Sequence, residues 1–103
     1  MKWHKTLTEE KWKKFPEQKQ FLMINNELRR AQHWLVRDNP KSMRQSLERA
    51  FELIDLTINV SSSAKIKKEL LQLRESIGQA YIKKPEPSEL QLFQNFVYHL
   101  ANI

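Results

Sequence analysis

Phe21, Ile24, Leu28, Ala31 and Leu35 recur at alternating steps of three and four, with glutamate, asparagine, arginine and glutamine between them. That spacing keeps one stripe of a 3.6-residue helix apolar and predicts an amphipathic rod beginning near Pro16. Proline suits the first helical position, where the missing N–H has no partner to lose. The same period returns in Met43, Leu47, Ala50 and Ile54, with Phe51 and Ile58 beside them. It returns again in Ile66, Leu70, Leu73, Ile77 and Ala80, and more densely in Leu92, Phe93, Phe96, Val97 and Leu100. Four rods with short connections must pack as antiparallel neighbours. The fold class predicted is all-α: an up-down antiparallel four-helix bundle with a short N-terminal helix.

The connections carry their own chemistry. In Asp38-Asn39-Pro40, asparagine either caps the following helix or takes left-handed geometry, and the proline starts that helix. Asn59 to Ser63 breaks the period, and Ser62 or Ser63 is suited to cap a fourth helix. A continuous helix through this stretch is the alternative. Residues 83–88 (Lys-Lys-Pro-Glu-Pro-Ser) read as a linker stiffened by two prolines. Ser88 and Gln91 then have capping-box spacing, as do Thr6 and Glu9 at the start of the chain. Trp12 and Phe15 lie three apart on a short helix over about 6–15, which is expected to fold over Leu22 and Met23. Residues 1–103 are thus expected to be a single domain, with the bundle over about 16–103.

Composition sharpens this reading. One glycine in 103 residues disfavours hairpin-rich sheets and excludes a phosphate-cradling glycine loop. With no cysteine there are no disulfides or thiolate metal sites, in keeping with a reducing compartment. No apolar run approaches the ~20 residues of a membrane span. The start MKWHKTLTEE lacks the apolar middle of a secretory signal, so the expected location is cytoplasmic, with no membrane partner. Eighteen Lys and Arg against twelve Asp and Glu give a formal charge of +6, which favours anionic partners.

Catalytic chemistry finds little purchase in these residues. His4, His33 and His99 are far apart in sequence, and the residues three before His33 and His99 are Arg30 and Phe96, where a di-metal bundle places glutamate. Nucleophile-elbow chemistry needs two glycines. The segment RRAQHW resembles the Arg-then-His element of the helical HEPN ribonucleases. However, Arg29 and Arg30 precede His33 by shorter intervals, so that activity is not carried over. SLERAFELIDL is similar to the second helix of a tetratricopeptide hairpin; it occurs once, which implies a packing idiom and no repeat array. No cofactor, no metal and no enzyme activity are expected.

Two surfaces remain as candidates. Leu71, Gly78 and Ile82 form a second stripe on the fourth helix and, with Leu53, Leu56 and Val60, suggest contact with a protein partner or a second copy. The expected role is therefore a helical interaction module. The rival expectation is nucleic-acid binding through Lys11, Lys13, Lys14, Arg29, Arg30, His33, Arg37, Lys65, Lys67 and Lys68, with Trp3 and Trp34 near those charges. Lys65, Lys67 and Lys68 stand at a helix start, where the dipole disfavours positive charge, which points to phosphate contact.

Overall fold

The principal apolar stripes of the second, third and fourth helices become their inward sides. A computed structural model describes residues 7–102. It contains α1 (Glu9–Lys13), α2 (Glu17–Val36), α3 (Pro40–Val60), α4 (Ala64–Ile82) and α5 (Pro87–Ala101). Helices α2 to α5 run up and down as an antiparallel four-helix bundle, with α1 laid against it. All five residues of the Phe21–Leu35 stripe are buried, as are Met43, Leu47, Ala50 and Ile54 from α3, and the Ile66–Ala80 stripe of α4. Burying a large aliphatic or aromatic side chain of this kind contributes about 1.5–3 kcal/mol.

The helices are unequally embedded. Helix α2 is central and packs broadly on both α3 and α5, whereas α4 leans on α3 and meets α5 along only a thin seam. Polar groups knit α2 to α5: Gln94 Nε2 donates to Gln32 Oε1 at 2.8 Å, and Asn25 Nδ2 donates to the Gln94 carbonyl at 3.2 Å. The Glu27 carboxylate is buried in α2 and pairs with the exposed Arg30 one turn on.

The turns show why the helices stop where they do. Asp38 takes the left-handed conformation (φ 55°), which a short polar residue tolerates. Asn39 Oδ1 then accepts from the Ser42 N–H at 3.1 Å, and Pro40 opens α3. Residues 61–63 separate α3 from α4, and Ser63 Oγ caps α4 by accepting from the Ile66 N–H at 3.2 Å. The continuous-helix alternative is thereby set aside.

Three local expectations are corrected. The cap of the first helix is Thr8, whose Oγ1 accepts from the Lys11 N–H at 3.2 Å, while Thr6 lies outside the described residues. The last helix starts earlier than Ser88: the Glu86 N–H donates to Glu89 Oε1 at 3.2 Å, so the capping box is Glu86–Glu89. Proline at position 87 favours that earlier start, because its fixed φ is already helical. Finally, Trp12 does not fold over Leu22, which is exposed beside α5. Its fully buried ring turns to α3, where Nε1 donates to Thr57 Oγ1 at 3.0 Å. Phe15 stacks on it edge-on at 5.7 Å, and Gln20 Nε2 ties down the carbonyls of Trp12 and Phe15 at 3.0 and 3.1 Å.

Candidate functional site

The docking of α1 divides the predicted apolar interface. Leu53 is only 2% exposed and belongs to the core. Leu56 and Val60 are half-buried against that core, and Val60 lines a cavity of about 180 Å³ together with Lys13 and Phe15. This flank of α3 is therefore occupied by the chain's own N-terminal helix. Leu53, Leu56 and Val60 do not join the α4 stripe.

The stripe itself is exposed. Leu71 is 55% and Ile82 85% accessible, and a Cβ built on Gly78 meets nothing within 4 Å. These residues are spaced seven and four, so they share the outer side of α4. Between this stripe and the core runs a row of contacts to α3. Arg74 pairs with Asp55 through two hydrogen bonds, Nε to Oδ1 at 2.7 Å and Nη2 to Oδ2 at 3.3 Å. Its guanidinium lies 5.2 Å from the centre of the Phe51 ring, which meets Tyr81 edge-on at 6.0 Å. The Tyr81 hydroxyl donates to Glu48 Oε2 at 2.9 Å, and this bond, with desolvation second, raises the hydroxyl above its ordinary pKa of 10.0. The row fixes how α4 sits on α3. It leaves Leu71 and Ile82 uncovered, with the half-buried Gly78 between them.

The opposite flank of α4 carries a surface that helical spacing did not single out. Where α4 and α5 fail to close on each other, Leu73 and Ser76 face Leu92, Phe93 and Phe96 across a groove of about 280 Å³. Leu92 was expected to dock with the rest of α5 but is 64% exposed on the groove's rim. A signal was present: Leu92 falls outside the stripe of Leu90, Val97 and Leu100 that is buried. A second groove, about 220 Å³, lies between α2 and α5 beside the exposed Leu22 and Tyr98.

The basic residues are not gathered into one patch. Lys11 and Lys13 on α1, and Lys14 just after it, lie at the end of the bundle where α3 turns into α4, the end that also carries Lys65, Lys67 and Lys68. All are exposed except the half-buried Lys67. Arg29, Arg30 and His33 line the outer side of α2 toward the opposite end, with Arg37 just past its last residue. Within that stripe Arg29 donates to Asn26 Oδ1 at 3.0 Å, and His33 meets the Trp34 ring edge-on at 5.0 Å. The first turn of α4 contains no acidic residue to offset its lysines.

His33 and His99 stand on different helices, and His4, Lys2, Lys5 and Trp3 lie outside the described residues. Among the described residues no cluster of three or more His, Asp or Glu side chains is arranged to hold a metal ion. No described helix is long and apolar enough to cross a membrane. No family model matches the chain, and neither a curated protein nor a solved structure is significantly similar to it.

Proposed function

We propose that this chain is a non-catalytic helical interaction module, which binds a partner protein through the outer side of α4. The carrying observation is the open stripe of Leu71, Gly78 and Ile82, with the two large side chains 55% and 85% exposed. None of the three is needed to dock α4, because Ile66, Leu70, Leu73, Ile77 and Ala80 already supply its buried side. An exposed apolar stripe beside a small-residue gap suits the apolar side of a partner helix. The test is affinity capture from the source cells with wild type and a Leu71→Glu/Ile82→Glu variant of unchanged circular dichroism. A protein retained by wild type and lost by the variant supports the reading. Identical sets from both baits discard it.

A second reading, binding to RNA or DNA, is favoured by the exposed Arg29, Arg30, His33 and Arg37 on α2, with Trp34 at their edge. It requires fluorescence-anisotropy binding that weakens steeply between low and high salt. Absence of binding at low salt rejects it.

A further inference from the structure

We infer that two copies of this chain pair through α5, with Leu92 of each copy seated in the α4–α5 groove of the other. This face is separate from the Leu71 stripe, so the inference stands or falls on its own. Three observations converge on it.

The first is shape. Leu92 lines one edge of a groove that it shares with Leu73, Phe93 and Phe96 and with the polar Gln72 and Ser76, so an exposed apolar knob and a mainly apolar hole sit side by side on one surface. Such a surface complements a second copy of itself, because a two-fold axis seats both knobs in both holes at once.

The second is the character of the outward side of α5. After Glu89 in its first turn, its exposed positions Gln91, Leu92, Asn95 and Tyr98 carry no acid, lysine or arginine, in a chain of which 29% is charged. Gln91 Nε2 donates to Asn95 Oδ1 at 3.1 Å, so even these amides are partly satisfied within the helix. Depletion of charge around apolar anchors is what marks the buried centre of a protein interface.

The third is the arrangement of charge, which selects the occupant. The chain carries +6, and two copies repel wherever their lysines and arginines approach within the ~8 Å screening length of physiological salt. From Pro85 to the last residue there is no lysine or arginine. The acids of this segment, Glu86 and Glu89, stand at its beginning, while the α4 lysines Lys65 and Lys68 lie at the end of the bundle where α5 finishes. Antiparallel pairing of the two α5 helices therefore brings the acidic end of each copy toward the basic end of the other. A nucleic acid would need cations along α5 itself, and from Pro85 on there are none. A second copy finds both shape and charge.

Sedimentation equilibrium on the full chain, at protein concentrations up to about 1 mM, decides the matter. Wild type is expected to approach twice the 12.4 kDa of one chain. Leu92→Glu, an exposed substitution that leaves the helical circular dichroism intact, is expected to weaken pairing at least about tenfold. Glu89→Lys is expected to weaken it less, and Leu71→Glu to leave it unchanged. A wild type that stays at the mass of one chain throughout overturns the inference. So does a dimer broken by Leu71→Glu but indifferent to Leu92→Glu.

Discussion

Trp12→Ala tests how the bundle is closed at its N-terminal end. The indole is fully buried on a helix of only five residues, and its N–H is held by Thr57 Oγ1 at 3.0 Å. A buried tryptophan removes about 150–250 Å² from water, which at about 25 cal/mol per Å² corresponds to about 4–6 kcal/mol. Alanine retains a small part of that, and the Thr57 oxygen loses one donor while still donating to the Leu53 carbonyl at 2.7 Å. The expected loss is about 3–5 kcal/mol, a large fraction of a domain's typical 5–15 kcal/mol. The loss also has a ceiling. A single turn of helix has no stability of its own, so once Trp12 is gone α1 detaches and no further contact with α3 can be lost. Urea unfolding followed by helical circular dichroism should therefore show a much lower midpoint but nearly unchanged initial ellipticity. A double-mutant cycle of Trp12→Phe with Thr57→Val isolates the hydrogen bond, expected at about 0.5–1.5 kcal/mol. A Trp12→Ala loss below about 0.5 kcal/mol, the range of an ordinary surface change, would refute this account of α1.

Gly78→Ala should stabilise the chain by about 0.5–1 kcal/mol in the same urea assay, since the new methyl meets nothing within 4 Å and glycine is costly inside a helix. Tyr81→Phe should remove a pH dependence. The folded state favours the neutral hydroxyl, so its contribution is present below the ordinary pKa of 10.0 and fades as pH rises above it. Stability measured across that value should fall more steeply for wild type than for the variant. Native-state hydrogen exchange should find amides of α4 opening more readily than those of α2, because α4 leans on one neighbour and α2 on two. Equal protection in α2 and α4 would contradict the thin α4–α5 seam.

The helices were legible because their stripes are long and regular, and hydrophobic period is the signal that tertiary context overrides least. The Asn39 and Ser63 caps were legible to within a choice, cap or left-handed turn at Asn39 and Ser62 or Ser63 before α4, because cap and helix start are neighbours in sequence. What sequence could not carry was which stripe faces which. Trp12 packs on Thr57, 45 residues away, and nothing near Trp12 distinguishes that flank of α3 from Leu22 and Met23 on α2. With α1 placed there, Leu53 became core and the six-residue interface shrank to Leu71, Gly78 and Ile82. The groove beside Leu92 was hidden in the same way, since its existence depends on how closely two helices approach.

The apolar residues left over also have a pattern. A helix that only needs docking can put charge on its outward positions at little cost, and α2 does so with Arg29 and Arg30, although Leu22 and Val36 are also exposed on it. Helix α4 instead keeps Leu71 and Ile82 in water and places between them a glycine that no neighbour requires. Relative to alanine that glycine costs about 0.5–1 kcal/mol of helix stability. Each of these residues weakens the isolated chain or its solubility, and all three lie on one side of one helix. Folding alone gives no reason for that coincidence, whereas the proposed partner helix would: the leucine and isoleucine would grip it, and the missing side chain would let its backbone come close.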